Sequence, residues 1–306
     1  MSSERQTISF LKRRMHEVGI QPDKRHGQNF LIDLNLIELI ATSAHLDEND
    51  VVLEVGTGMG SLTGLMAPHA GQIVTVEIDA DLAKLAQSEL KNFDNITFLQ
   101  QDALRNKNNI HPTVHDTLAE KVNEAEGRKL KLVANLPYSI ATPLISNLLH
   151  WDMTPSMMVV TIQKELADRI MAVPSTKDYS ALSIWIQSVA DTELVRDLPP
   201  TVFWPPPKVN SAIIRITPNP EKRKRIPDLA FYHKFVRSLF FHRRKFLRSV
   251  LNSAFKVELE KADVDAVLAA SDFTPDMRAE QLPYERIQEL GELFRQKLIE
   301  KGNSVS

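Results

Sequence analysis

The sequence predicts an α/β protein in which helices cover both faces of a parallel β-sheet, followed by a smaller α-helical domain. In the first two thirds of the chain, short strands rich in apolar and β-branched residues alternate with helical patterns, which is typical of a buried parallel sheet. After Pro218 and Pro220 the pattern becomes helical only. We therefore expect one domain over residues 1–219 and a second over residues 220–306.

Each element follows from its own pattern of residues. In chain order, strands are predicted at residues 51–55, 72–78, 95–100, 131–136, 156–163 and 211–217. Helices are predicted from Ser61, at 79–90 with Asp79 as N-cap, at 138–150, and then near 228–241, 243–255, 260–270 and 284–300. The polar residues 103–129 are predicted to form an insertion or a long surface loop, and EKRKRIP (221–227) is predicted to be a linker.

Composition excludes several classes of protein. The chain has 306 residues, 43% of them hydrophobic, and no cysteine, so disulfides and thiolate metal sites are excluded. The N-terminal residues lack the apolar core of a signal peptide, and no apolar run reaches the roughly 18 residues of a membrane span. These observations predict a soluble, cytoplasmic protein.

Charge is unevenly distributed along the chain. The formal net charge is -2, which alone argues against a nucleic-acid partner. Residues 221–248, however, contain ten Lys or Arg and two acidic residues, which leaves a local net charge of +8. This basic segment is either a solvated helix face or a surface for nucleic acid.

A glycine-rich turn follows the first predicted strand, in LEVGTGMGSLT (53–63). Glycines at 56, 58 and 60 allow a tight turn and close approach of a ligand to the backbone. A dinucleotide site and a purely structural turn are the alternatives. Ser61 stands where a dinucleotide motif has its third glycine, and Glu54 directly precedes the turn. Both features favour S-adenosylmethionine over NAD.

Acidic residues end the next two strands, Glu77 in VTVEID and Asp102 in FLQQDAL. A carboxylate at Glu77 can accept hydrogen bonds from both ribose hydroxyls, and Asp102 can accept one from the amine of an adenine. Either residue alone could be a solvent-facing strand end. Because ligands of open α/β sheets bind at the carboxyl ends of strands, the three consecutive strand ends together indicate a nucleoside-containing cofactor.

The fourth strand ends in Asn135-Leu136-Pro137-Tyr138. An ordinary turn is the alternative interpretation. The amine of adenine is a poor nucleophile, and the Asn135 carboxamide oxygen with an adjacent main-chain carbonyl can accept its two hydrogens. The Tyr138 ring can stack on the base, which must leave its own stack to reach this position. The segment thus indicates methylation of an adenine amine.

These motifs resemble those of the ribosomal RNA adenine dimethyltransferases, most closely the bacterial small-subunit branch. The matching segments span nearly the whole chain: HGQNFL (26–31), LEVGTGMGSLT (53–63), VEID (76–79), QDAL (101–104), NLPYSIATPLI (135–145), QKELADRI (163–170), FWPPPKVNSAIIRI (203–216), FHRRKFLRSVL (241–251) and MRAEQL (277–282). The resemblance implies a Rossmann-like methyltransferase sheet that uses S-adenosylmethionine and no metal. It also implies N6,N6-dimethylation of two adjacent adenines in a hairpin loop near the 3′ end of small-subunit rRNA.

The resemblance also implies roles for individual residues. Asn135, Leu136 and Tyr138 would be catalytic, and Tyr138 and Phe203 would flank the target base. The expected cofactor-binding residues are Asn29, Leu31, Gly56, Glu77, Asp102 and Asn135. The expected rRNA-binding residues are Arg223, Lys224, Arg225, Arg243, Arg244, Lys245 and Arg248.

The partner implied is small-subunit rRNA within an assembling 30S subunit, with the protein acting as a monomer in ribosome biogenesis and touching no membrane. Two departures from the family pattern are Thr57 in the glycine turn and the long polar segment 103–129. Two other functions stay open. One is dimethylation of large-subunit rRNA, and the other is a non-catalytic role in ribosome assembly.

Overall fold

The computed structural model describes Arg13 and residues 28–303. The chain divides into two compact units. The first extends to Ala167 and also includes Glu193–Pro218, whereas the second comprises Asp168–Thr192 and the chain from Asn219 onward. Residues 168–192, which were expected in the first domain, therefore group with the C-terminal helices.

The strands lie where short apolar segments were predicted, with additional short strands between them. In chain order they are β1 Phe30–Leu31, β2 Asp50–Val55, β3 Gln72–Glu77, β4 Ile96–Gln100, β5 Leu104–Asn106, β6 Asn109–Ile110, β7 Lys129–Asn135, β8 Met157–Gln163, β9 Ala190–Leu198, β10 Phe203–Trp204 and β11 Ser211–Pro218. The edge strand β9 was not predicted, because most of its residues are polar and partly or fully exposed.

The helices include several whose first backbone N–H groups are capped by a side chain. In chain order they are α1 Leu34–Ser43, α2 Ser61–Met66, α3 Ala80–Glu89, α4 Pro112–Asn123, α5 Tyr138–His150, α6 Lys164–Ile170, α7 Ala181–Gln187, α8 Pro220–Lys224, α9 Leu229–Leu239, α10 Leu247–Ala254, α11 Lys261–Ala269 and α12 Tyr284–Glu300. Asp79 accepts from the N–H groups of Asp81 and Leu82, so the predicted N-cap of α3 is confirmed.

Seven strands form one sheet in the order β4-β3-β2-β7-β8-β11-β9. The pairs among β4, β3, β2, β7 and β8 are parallel, so these five strands end at the same edge. β11 runs antiparallel to β8, so the predicted parallel sheet is confirmed for five strands and does not extend to β11. A run of buried apolar residues indicates a strand but does not specify its direction.

Residues 103–129 are not the predicted loop. They form the hairpin β5–β6 and then α4, which packs against β2, β3 and β7. Val114 and Leu118 lie one helical turn apart on α4 and are fully buried. These two residues form the fully buried part of a helix whose other residues are mostly polar.

The second unit has its own core of aromatic residues. The rings of Phe235, Phe255 and Phe294 contact one another with centroids 5.2–6.1 Å apart. Helix α7 packs against α9 and α12, which explains why residues 168–192 group with the C-terminal helices. The predicted linker at 221–227 begins instead with α8, whose first N–H groups are capped by Asn219. Among the described residues, no helix is both long and apolar enough to cross a membrane.

Candidate active site

Four of the predicted site residues lie at the ends of adjacent parallel strands. Gly56 follows β2, Glu77 ends β3, Asp102 follows β4, and Asn135 ends β7. The sheet order β4-β3-β2-β7 places these positions in a row along one edge. The sequence pattern therefore predicted a real cluster in space.

The glycine turn between β2 and α2 has a backbone that other residues rarely adopt. Gly56 and Gly60 have φ angles of +86° and +82°, in the left-handed region. A Cβ at Gly60 would lie 2.7 Å from a methyl carbon of Leu90, so no side chain fits there without a shift. The N–H of Gly58 donates to Glu77 Oε2 over 2.9 Å, which fastens the turn to the end of β3.

Glu77 is nearly buried, and both of its oxygens accept backbone hydrogen bonds. Besides the bond from Gly58, Oε1 accepts from the N–H of Asp79 over 3.0 Å. Burial raises the pKa of Glu77, while the hydrogen bonds from Asp79 and Gly58 act in the opposite direction. Each carboxylate oxygen can accept more than one hydrogen bond, so Glu77 retains acceptor capacity toward the cleft it lines.

Glu54 is at the centre of a buried hydroxyl network behind the glycine turn. Its Oε2 accepts from Thr63 Oγ1 over 2.5 Å and from Thr75 Oγ1 over 2.7 Å. Thr57 Oγ1 lies 2.6 Å from Thr75 Oγ1, so the residue that departs from the family pattern joins this network. Burial raises the pKa of Glu54 to about 7, although both threonine hydrogen bonds lower it.

The carboxamide of Asn135 is fixed by the segment before β1. Its Nδ2 donates to the carbonyl oxygen of Asn29 over 3.0 Å. The amide nitrogen is thereby engaged on the side of Asn29, and Oδ1 remains as an acceptor. Leu136 is buried, and its N–H donates to the Thr161 carbonyl of β8 over 3.2 Å, which fixes the main chain beside Asn135.

Tyr138 is tied to a residue that the sequence did not single out. Its phenol oxygen lies 2.6 Å from Oγ of Ser211, the fully buried first residue of β11. The Tyr138 ring itself is only partly buried. Burial raises the pKa of the phenol, so Tyr138 is neutral at physiological pH. Ser211 belongs to the segment FWPPPKVNSAIIRI, and no local pattern in that segment indicates its contact with Tyr138.

Three neighbouring clefts run along this edge of the sheet, and Gly56 lines all of them. One, of about 530 Å³, is lined by Asn29, Glu77, Asn135 and Tyr138 among others. A second, of about 650 Å³, is lined by Glu77, the exposed side chain of Ile78, and Asp102. The third, of about 490 Å³, includes Leu31 and Glu54.

Among the residues predicted to hold the cofactor or the target base, Phe203 is the one that does not line these clefts. Its side chain is 2% exposed and belongs to the core cluster that includes Val133, Val159 and Ile213. Phe203 pairs with Leu31 across the β1–β10 ladder, which holds it in that core. In this conformation its ring has no face free for a base.

The predicted rRNA-binding residues in the second unit divide into paired and unpaired side chains. Arg243 donates to Glu280 Oε2 over 2.6 Å and to the carbonyls of Thr176 and Lys177. Arg248 makes a two-pronged contact with Asp265, at 2.5 and 2.7 Å. Both guanidinium groups are therefore already paired within the second unit, which makes them weaker candidates for phosphate contacts than the unpaired cations.

The remaining predicted cations are exposed. Lys224 pairs with Glu221, and Arg223 donates to the carbonyl of Ile226. The side chains of Arg225, Arg244 and Lys245 have no hydrogen-bond or ion-pair partner among the described residues. In the part of the chain that the structure describes, no group of three or more His, Asp or Glu side chains is placed so that it could hold a metal ion.

Comparisons of the sequence and the fold with known proteins point to one family. The model of a family described as ribosomal RNA adenine dimethylase matches residues 20–295. A curated relative, Ribosomal RNA small subunit methyltransferase A from Halothermothrix orenii, is 36% identical over 287 residues, which cover 94% of this chain and 93% of the relative.

Two solved structures share the fold. A dimethyladenosine transferase from Plasmodium falciparum has a TM-score of 0.73 and 23% identity, covering 87% of this chain and 97% of that one. The 23S rRNA methyltransferase ErmE has a TM-score of 0.61 and 25% identity, covering 88% of this chain and 100% of that one. The predicted Rossmann-like methyltransferase fold is confirmed. The chain belongs to the ribosomal RNA adenine dimethylase family.

Proposed function

We propose that this protein uses S-adenosylmethionine to dimethylate N6 of two adjacent adenines in a hairpin loop near the 3′ end of small-subunit rRNA. The observation that carries this proposal is the carboxamide of Asn135, anchored through Nδ2 to Asn29 and leaving Oδ1 as an acceptor at the end of β7. The names of curated relatives, Ribosomal RNA small subunit methyltransferase A, support the choice of substrate.

The row of strand ends fits S-adenosylmethionine, which supplies an electrophilic methyl group when bound. Glu77 retains acceptor capacity that suits the two ribose hydroxyls. Ile78 is 45% exposed beside it and offers an apolar surface for an adenine ring. Asp102 lines the same cleft and would accept from the adenine amine. Gly56, Asn29 and Leu31 would surround the amino-acid end of the cofactor.

The target amine would be oriented by two acceptors. Asn135 Oδ1 and the main-chain carbonyl of Leu136 each accept one of its hydrogens. This arrangement reduces delocalisation of the nitrogen lone pair into the adenine ring and directs it toward the methyl group. Because the acceptors are fixed before the base arrives, little reorganisation is needed for transfer.

Tyr138 would hold the extruded base by stacking against its partly exposed ring. The hydrogen bond to Ser211 restricts rotation of the ring and so preserves the stacking surface. Phe203 could flank the base only if its side chain left the core, so Tyr138 is the stronger candidate for this role.

The exposed cations of the second unit would bind rRNA phosphates. Arg225, Arg244 and Lys245 are the best candidates because their charges are unpaired among the described residues, with Arg223 and Lys224 as further contacts. The proposed substrate is an assembling 30S subunit, on which the protein acts as a cytoplasmic monomer. Unpaired bases and RNA shape would determine recognition.

Dimethylation of large-subunit rRNA is the second candidate, favoured by the likeness to ErmE. The test offers the protein both ribosomal subunits, each lacking its adenine methylation, together with S-adenosylmethionine. The proposal predicts methylation of the small subunit and none of the large subunit. Methylation of the large subunit alone would favour the second candidate instead.

A further inference from the structure

The connection between α9 and α10, residues 240–246 with the sequence FFHRRKF, is firmly attached to the second unit. The N–H of Lys245 donates to the His242 carbonyl over 2.8 Å, and that of Leu247 donates to the Met277 carbonyl over 2.7 Å. Within the connection, Arg243 is bound to Glu280. The connection therefore has a defined conformation, from which its other side chains project.

Two aromatic side chains in this connection are unusually exposed. Phe241 is 75% exposed and Phe246 is 50% exposed. The guanidinium of Arg278 lies 5.5 Å from the centroid of the Phe246 ring, and half of the side chain nevertheless remains accessible. Scattered exposed apolar residues are ordinary, but two phenylalanines separated by only four residues form a concentrated apolar feature.

Unpaired positive charges lie between these two rings in the chain. The side chains of Arg244 and Lys245 are exposed and have no hydrogen-bond or ion-pair partner among residues 28–303. An apolar surface for a protein partner or for a core would not need these charges. Aromatic rings interleaved with cations match a strand of RNA, in which flat bases alternate with phosphates.

We propose that the α9–α10 connection is a stacking platform for unpaired RNA, in which Phe241 and Phe246 stack on bases and Arg244 and Lys245 bind the phosphates between them. This inference rests on the proposed function and specifies how the second unit recognises its substrate. A base has two flat faces that are accessible only outside a duplex, so the platform selects single-stranded RNA. Phosphate contacts alone would give no preference for unpaired bases, because both forms present phosphates.

The test measures binding of the full-length protein to a labelled 12-nucleotide RNA, single-stranded or annealed to its complement. In the double variant Phe241→Leu/Phe246→Leu, apolar bulk remains and the aromatic faces are lost. We expect this variant to bind the single strand at least tenfold more weakly and the duplex within twofold of wild type. Ile299→Ala, at an exposed apolar residue of the same unit, is the control and leaves both affinities unchanged.

A second variant, Arg244→Ala/Lys245→Ala, separates charge from stacking. It should lower the dependence of affinity on salt for both RNA forms, whereas the Leu variant should leave that dependence unchanged. Wild-type affinity of the Leu variant for the single strand would overturn the proposal. Equal weakening of the Leu variant toward both RNA forms would also overturn it. So would a Leu variant that keeps wild-type affinity for RNA and loses affinity for anionic phospholipid vesicles.

The binding assay does not depend on methyl transfer, so the two proposals can fail separately. If the protein methylates the small subunit and the Leu variant binds RNA normally, only the stacking platform is wrong. If stacking is observed and no adenine is methylated, the platform stands and the proposed enzymatic function is wrong.

Discussion

The phenol of Tyr138 and the hydroxyl of Ser211 lie 2.6 Å apart, joining the start of α5 to the start of β11. In the sheet, β8 lies between β7 and β11, so this bond spans the end of the intervening strand. Ser211 is fully buried and pairs with Gln163 of β8. The sheet therefore fixes the orientation of the ring that we propose for stacking on the target base.

Removing this hydrogen bond should have a smaller effect than removing the ring. Tyr138→Phe keeps the stacking surface, and we expect kcat/KM for methyl transfer to fall about fivefold, the effect of about 1 kcal/mol. Tyr138→Ala also loses base stacking, and a fall of 100-fold or more is expected. Steady-state kinetics on unmethylated small subunits measures both changes.

Ser211→Ala provides the matched control, because it removes the same hydrogen bond from the other side. It should reproduce the effect of Tyr138→Phe, and the double variant should be no worse than either single variant. Fully additive losses would mean that Ser211 and Tyr138 act independently, which would contradict a positioning role for Ser211.

Glu54 should make stability depend on pH. Burial raises the pKa of Glu54 in the folded protein from 4.5 to about 7, so the folded state holds its proton more tightly than the unfolded state. Stability is therefore greatest below pH 4.5 with respect to this group and falls as pH rises toward 7. The loss is on the order of 3 kcal/mol once the group is ionised in both states.

Comparison with Glu54→Gln isolates this contribution. The glutamine side chain is neutral at every pH, so the difference in unfolding free energy between wild type and variant should shift in favour of the variant between pH 5 and 8. Chemical denaturation at a series of pH values gives this difference. A difference that is constant with pH would show that Glu54 does not titrate in this range.

Glu77→Gln should weaken cofactor binding about tenfold or more. The substitution replaces one of the two carboxylate oxygens by an amide nitrogen, so a hydrogen bond from Gly58 or Asp79 and one of the proposed ribose contacts are disturbed. Calorimetric titration with S-adenosylmethionine measures the change. Asp94→Asn is the control, since the exposed Asp94 precedes β4 at the opposite edge of the sheet and should leave affinity unchanged.

The paired and unpaired arginines of the second unit should respond differently to substitution. Arg248→Ala breaks the contact with Asp265, and we expect lower thermal stability with little change in the salt dependence of RNA binding. Arg244→Ala removes an unpaired charge, so the slope of log affinity against log salt should fall by about 0.7 with stability preserved. Equal slopes for wild type and Arg244→Ala would exclude a phosphate contact at Arg244.

The sequence predicted the strand-end row because local signals were sufficient there. Buried strands identify themselves by composition, and parallel strands must end at a common edge, so the residue pattern alone places Gly56, Glu77, Asp102 and Asn135 together. Helix α4 was missed because its apolar face is short and most of its residues are polar, with Val114 and Leu118 as its buried residues.

The other differences arise from contacts between residues distant in sequence. Nothing near Arg243 or Arg248 indicates that Glu280 and Asp265 neutralise them, so a count of local charge overstated the surface available to RNA. Ser211 is 73 residues from Tyr138, and only the sheet order brings the two together. Phe203 is held in the core by its pairing with Leu31, which the sequence also could not reveal.

The most direct test of the central claim is mass spectrometry of small-subunit rRNA after incubation of unmethylated subunits with the protein and S-adenosylmethionine. The account predicts two methyl groups on each of two adjacent adenines, and at least a 100-fold lower rate with Asn135→Ala. An Asn135→Ala variant that folds normally and methylates at the wild-type rate would contradict the account, as would the absence of methylated adenine in the wild-type reaction.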